Sequence, residues 1–174
     1  KEVFAFRNIA DELISVMLKN GAYMINAVQA DALAKIVLVE TKDKKGNTRL
    51  VVNRDCVGRD AHILLQKIGI NVSNDIRCII CETDFNHLFV QEELMMPILP
   101  IVVTDTFEDA MEMAVKAEHS NRHTAHLHSK NVDHMTSYAK AVCTTIFVKN
   151  APSYAGIGFN SEGHTTFTIA GPTG

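Results

Sequence analysis

The chain has little cysteine, no surplus of basic residues and no long apolar run. Four cysteines in 174 residues are too few for a disulfide scaffold and fit a reducing cytosol. Lys and Arg number 17 against 20 Asp and Glu, a formal net charge of −3, so no basic footprint points to nucleic acid or to an anionic membrane. No apolar stretch approaches the roughly 20 residues needed to span a bilayer. The first residues carry no signal- or transit-peptide pattern, and there is no internal repeat or low-complexity segment. What is present is globular: 47% hydrophobic and 21% charged, enough for a single domain over 1–174 whose core needs no staples.

Apolar periodicity predicts the order of elements. Val3 to Phe6 reads as a strand, followed by a helix with Asn8 as its cap and Ile9, Leu13, Val16 and Met17 on one face, stopped by Asn20-Gly21. A second helix runs from Val28 to Leu38, the polar stretch Thr41 to Thr48 is a turn or exposed loop, and a third helix spans Arg59 to Ile68. Beyond it the pattern alternates. Ile76 to Cys81 and Ile98 to Val103 are continuous apolar runs, as in strands buried on both faces. Thr106-x-x-Asp109 opens a helical stripe of Phe107, Ala110, Met111, Ala114 and Val115. Thr124 to His128 is a strand, Val132 to Val142 a helix and Thr145 to Val148 a strand. The glycine-rich tail from Asn150 is irregular, with Thr165 to Ile169 as an edge strand. Strand–helix alternation of this kind predicts an α/β fold, three layers with a mostly parallel sheet.

Local chemistry is sparse. Cys78 and Cys81 form a C-x-x-C inside an apolar strand, where residues three apart point to opposite faces, so they are core cysteines. His119, His123, His126, His128 and His134 crowd one region, but no Asp, Glu or Cys completes a metal set. His123, at the entrance to a strand beside Thr124, is the histidine placed to act as a base near neutral pH. Gly156-Ile-Gly158 lacks the strand, helix and third glycine of a dinucleotide fingerprint. Ser153-Tyr154 lacks the nucleophile-elbow pattern. The residues by themselves stop at an α/β domain.

The segment E-E-L-M-M-P-I-L-P, Glu92 to Pro100, resembles the glutamate-containing segment of the aldehyde dehydrogenase superfamily, commonly E-E-x-F-G-P-V-L-P. Met-Met in place of Phe-Gly is typical of the coenzyme A-acylating branch. V-G-R-D-A (Val57 to Ala61) resembles the segment preceding the family's helix, N-R-H-T-A-H-L-H-S-K-N (Asn121 to Asn131) resembles that branch's H-T-A motif, and T-T-I-F-V-K-N-A-P-S-Y-A-G-I-G (Thr144 to Gly158) with T-T-F-T-I-A-G-P-T-G after it is similar to the microcompartment-associated propionaldehyde and acetaldehyde dehydrogenases. The likeness runs in order over the whole chain.

That resemblance implies a chemistry. A thiolate attacks a small aliphatic aldehyde, propionaldehyde first and acetaldehyde second. Hydride passes to NAD, and the thioester passes to coenzyme A. Carried over by position, Glu93 binds the nicotinamide ribose, Met95 lies beside the ring, and His123 orients or deprotonates the incoming thiol. Asn150, Ser153, Tyr154 and Ile157 fall on the loop lining the aldehyde pocket. The family's nucleophilic cysteine lies before the segment matching Lys1 to Phe4, and its nucleotide-binding domain lies earlier still. The expectation is therefore the C-terminal catalytic portion of a homo-oligomeric, cytoplasmic, microcompartment-associated enzyme, inactive by itself. The alternatives are a non-acylating dehydrogenase, a glutamate-5-semialdehyde-type reductase, or a non-catalytic binding or assembly module on the same fold.

Overall fold

In the computed structural model, which describes residues 2–159, the apolar runs of the first unit, Lys1–Asp105, pair side by side. Strands β1 (Val3–Phe6), β2 (Ala22–Met24), β5 (Cys78–Glu82) and β6 (Ile98–Thr104) form one sheet in the order β1-β6-β5-β2. Every pairing in it is parallel. The two central strands are the two continuous apolar runs of the sequence, because a central strand of a parallel sheet must be apolar on both faces.

Each face of that sheet has its own core. On one side Ile79, Cys81 and Ile98 meet α2 (Ala27–Val37) through Ala30, Leu33, Ala34 and Val37, and α3 (Ala61–Gln66) through Ala61, Leu64 and Leu65. On the other, Ala5, Ile80 and Ile101 meet Ala10, Leu13, Ile14 and Met17 of α1 (Arg7–Lys19). Helix, sheet and helix make the expected three layers. Leu33, Leu64, Leu65, Ile79, Ile80 and Ile101 are completely buried, each stabilising the fold by about 1.5–3 kcal/mol.

The local rules worked unevenly. Helix α2 opens on a capping box in which the Asn26 side chain accepts from the Gln29 amide and the Gln29 side chain accepts from the Asn26 amide, both at 2.9 Å. Asn8 is not a cap. Helix α1 begins at Arg7, directly out of β1, with no side-chain cap. The β1–β6 ladder ends at Phe6 and Thr104, and the next pair of residues is an ion pair, Arg7 Nε to Asp105 Oδ1 at 2.6 Å. The loop expected over Thr41 to Thr48 is the tip of an antiparallel hairpin, β3 (Leu38–Lys42) with β4 (Thr48–Val52). Asp43 organises that tip, accepting from the backbone amides of Lys45 and Asn47 and from the Asn47 side chain. These hydrogen bonds hold its carboxyl below the usual carboxylate range. Helix α4 (Leu88–Gln91) and β2 are too short to show a period.

The second unit, Thr106–Gly174, is described to residue 159. It pairs β7 (Thr124–Leu127) with β8 (Ile146–Lys149), again parallel. Helices α5 (Phe107–Ala117) and α6 (Val132–Val142) cover this pair, with Ala125, Tyr138 and Val142 at the centre of the cluster. The Thr106 hydroxyl accepts from the Asp109 amide, which is the expected N-terminal cap. The strand anticipated at Thr165 to Ile169 lies outside the described residues. Among those residues no helix is long and apolar enough to cross a membrane.

Helix α6 ends on a strained residue. Its C-cap, Cys143, has φ 47° and ψ 48° and is exposed. Left-handed backbone costs a side-chain-bearing residue about 1–2 kcal/mol, and glycine is the usual solution. Cys143→Gly therefore raises stability by about 0.5–1 kcal/mol after the extra entropy of glycine in the unfolded chain. The urea midpoint reads this. An unchanged or lower midpoint contradicts it.

Candidate active site

The first unit presents the acidic loop. Helix α4 stops at Gln91, and Glu92 leaves it with extended backbone. Leu94 and Met96 are both buried, and they belong to the cluster that also holds Ile79 and Ile98. They act as two pegs in the core, so the intervening side chains are turned outward. Glu93 is exposed, and Met95 is 58% exposed. Met95 also has φ 55°, a conformation few non-glycine residues adopt.

That turn is held at both ends of one residue. The Met95 amide donates to Glu93 Oε1 at 3.0 Å, and the Met95 carbonyl accepts from the Gly58 amide at 3.2 Å. Gly58 itself has φ 68°. Beyond Met95 the loop is clamped to the sheet, since the Ile79 amide donates to the Pro97 carbonyl at 2.8 Å. An open groove of about 670 Å³ runs beside it, lined by Met95 and Met96 and by Gly58 and Arg59. V-G-R-D-A and E-E-L-M-M-P, two separate motifs of the sequence, are thus neighbours in the fold.

The second unit presents His123. Its imidazole Nδ1 is 2.6 Å from the Thr124 hydroxyl, and its backbone amide donates to Glu118 Oε1 at 3.2 Å. The turn before it is tight: His119, Ser120 and Arg122 all have positive φ, at 51°, 62° and 51°. The Ile146 amide takes the His123 carbonyl at 3.0 Å, and Thr145 takes that of Arg122. The ring is half-buried, and the Thr124 hydroxyl restrains its rotation.

The loop expected to line the aldehyde pocket follows β8. Asn150 has φ 50°, and its amide group bridges to the end of β7, accepting from the Ser129 amide at 2.8 Å and donating to the Ser129 carbonyl at 2.7 Å. Ser153–Ile157 is a turn of 3-10 helix. Tyr154 is exposed on it, with an edge contact to Phe159. Gly156 is needed for close approach: a Cβ there would sit 3.0 Å from Ile146 Cγ2 and 3.3 Å from Val148 Cγ2. The turn thereby lies directly against β8, a reason for glycine that the G-x-G spacing does not reveal.

The C-x-x-C cysteines are core residues. Cys78 and Cys81 fall on opposite faces of the sheet, each within a different core. Burial pushes the Cys81 thiol up to about 12 and raises Cys78 as well, so neither is a ready thiolate. His134 is stacked on Phe107 at 3.9 Å. Among the described residues no group of three or more His, Cys, Asp or Glu is arranged to hold a metal.

His126, on β7, is held below the ordinary imidazole range, first by burial and then by neighbouring His128. Its folded-state pKa is lower, so the unfolded chain takes up the proton first as pH falls. Its contribution to stability is therefore complete above the unfolded value of about 6.5 and is lost progressively below it. Between pH 7 and 5 the parent loses more stability than His126→Gln does. Urea midpoints across that range check this, and parallel curves contradict it.

No protein-family profile matches the chain. It is 41% identical over its full length to the acetylating acetaldehyde dehydrogenase EutE of Salmonella typhimurium. A propionaldehyde dehydrogenase from the fucose-utilisation microcompartment of Clostridium phytofermentans is 54% identical and superposes with a TM-score of 0.89 over the whole chain. A propionaldehyde dehydrogenase of Rhodopseudomonas palustris, solved with CoA bound and a cysteine acylated, is 49% identical with a TM-score of 0.87, again over the whole chain. The chain spans 37% of the length of the first of these and 38% of each of the other two.

Proposed function

We propose that the chain is the C-terminal catalytic portion of a CoA-acylating aldehyde dehydrogenase, an enzyme that converts a small aldehyde, NAD and coenzyme A into acyl-CoA and NADH; the support is its likeness over its full length to relatives of that activity. Propionaldehyde is the first candidate substrate and acetaldehyde the second, the aldehydes named for its relatives. The intact enzyme is a homo-oligomer, in the cytoplasm and inside a microcompartment with its shell and partner enzymes.

One observation carries the assignment of the site. The loop bearing the family-like motif buries Leu94 and Met96 and turns Glu93 and Met95 outward. A carboxylate with two acceptor oxygens suits the paired hydroxyls of a ribose. An exposed methionine beside it supplies an adaptable, polarisable wall for an aromatic ring. These side chains fit the group that the family resemblance implies, the ribose and ring of NAD's nicotinamide end, whose ring would supply the hydride acceptor when bound. The chain's own contribution is to orient it. His123 assists the incoming thiol, giving it direction and removing its proton, with Thr124 fixing the ring. Asn150 ties the start of the pocket loop to Ser129, and Ser153, Tyr154 and Ile157 shape the wall that meets the aldehyde's alkyl group.

The test is the full-length enzyme with propionaldehyde and NAD, with and without coenzyme A. NADH formation that depends on coenzyme A and yields propionyl-CoA is expected. NADH with free propionate, independent of coenzyme A, would establish the non-acylating alternative, and no turnover with any short aldehyde would favour a binding module.

A further inference from the structure

Helix α4 is a single turn, four residues long. One turn fixes about six backbone dihedrals for one hydrogen bond, so it does not hold itself. Yet it is the element from which the Glu93 loop departs. Its N-cap is His87, although short oxygen-bearing side chains are the usual choice there. The His87 Nδ1 accepts from the Phe89 amide at 3.1 Å. A ring nitrogen accepts only when it carries no proton, so the proton of the neutral ring sits on Nε2. That nitrogen lies 3.4 Å from Asp31 Oδ1 on α2. The imidazole is 14% exposed and meets the Phe89 ring edge-on, centroids 4.8 Å apart. Serine, aspartate or asparagine could cap α4 but would be too short to reach α2 as well.

What His87 caps leads straight to the candidate site. Phe89 is 1% exposed and belongs to the same core as Leu94 and Met96. The His87 carbonyl accepts from the Val90 amide at 2.9 Å, and the Glu92 amide closes the turn on the Leu88 carbonyl at 2.9 Å. Glu93 is the next residue. We propose that His87 is a positioning residue of this loop: it ties α4 to α2 and thereby sets where Glu93 and Met95 stand. The proposal rests on the reading of those two side chains as the nicotinamide site. Leu94 and Met96 fix the depth of the loop, and the cap fixes the direction from which the chain enters it. His87 acts through the loop and touches no co-substrate.

The test uses the full-length enzyme carrying His87→Leu, which fills the space but offers no acceptor, and His87→Asn, which keeps a capping oxygen. Hydrogen exchange without co-substrates, followed by mass spectrometry, reads the segment 88–95. Exchange there rises about fivefold in His87→Leu, the effect of losing a typical N-cap, and stays near the parent rate in His87→Asn. The KM for NAD rises by a similar factor in His87→Leu and is rescued in His87→Asn, while acyl transfer to coenzyme A keeps its rate. Combined with Glu93→Gln, the effect of His87→Leu on hydride transfer is less than additive, because the placing of residue 93 matters little once its charge is gone. Unchanged exchange in His87→Leu overturns the proposal, and so do additive effects. A loss spread evenly over every step, with a lowered melting temperature and no rescue by asparagine, also overturns it and makes His87 an ordinary core residue. If Glu93→Gln by itself leaves hydride transfer untouched, the nicotinamide reading fails, and exchange still decides the role of His87.

Discussion

His123→Ala in the full-length enzyme slows acyl transfer to coenzyme A by about 100-fold or more, the usual contribution of a general base, and slows hydride transfer much less. A thiol near its ordinary pKa is mostly protonated at neutral pH, and a positioned imidazole takes that proton as the sulfur attacks. Hydride transfer requires no such proton from the incoming thiol. His123 is oriented by Thr124 at 2.6 Å and by its backbone contact to Glu118 at 3.2 Å. A burst of NADH followed by slow acyl-CoA release is the signature, with the two products timed separately in a single turnover. Equal loss in both steps would make His123 a structural residue at the strand entrance. His123→Gln, which keeps a polar group beside Thr124 but cannot act as a base, separates orientation from proton transfer.

Glu93→Gln lowers the efficiency of hydride transfer by about 10- to 150-fold, the equivalent of one charge-assisted hydrogen bond of about 1.5–3 kcal/mol. Glutamine retains one carbonyl oxygen, so it still accepts the Met95 amide and the turn survives. What it loses is the charge and the second acceptor, the two properties that hold a ribose in a fork. The nicotinamide is then less well placed, and the loss is positional. Glu92→Gln is the control. Glu92 sits where the chain leaves α4, one residue before the pegged segment, and its substitution changes kcat/KM for NAD little. If Glu92→Gln is instead the crippled variant, the alignment of the motif is wrong by one residue.

The long, strongly patterned elements were legible before any coordinates. Val132 to Val142 is helical over the expected range, and Ile98 to Val103 is a central strand as anticipated, one residue longer. Their apolar positions face a core, so the period is written in the residues. The β3–β4 hairpin was not legible, because Leu38 alone of its residues is buried and an exposed strand carries no hydrophobic alternation. Capping at Asn8 failed for a different reason. The end of a β-ladder and the ion pair to Asp105, distant in sequence, set the start of α1.

The candidate site divides in the same way. Glu93, Met95 and His123 were selected by likeness to a family, and nothing in their own spacing singled out Glu93 or Met95. The positive φ of Met95, and of three residues just before His123, could not have been anticipated from residue type, since those residues disfavour it. The donation from Gly58 to Met95 joins motifs that are far apart in the chain.

The two sulfurs of the C-x-x-C face opposite cores, and this has a practical bearing on how the protein responds to oxidants and to trivalent arsenicals. Three residues of extended strand separate the Cα atoms by about 10 Å, beyond the roughly 7 Å at which a disulfide closes. The pair is insulated by the sheet itself, so Cys78 and Cys81 do not behave as a vicinal dithiol. Inactivation by phenylarsine oxide or diamide, if seen, belongs to a thiol elsewhere in the enzyme. Replacing both Cys78 and Cys81 leaves that sensitivity unchanged.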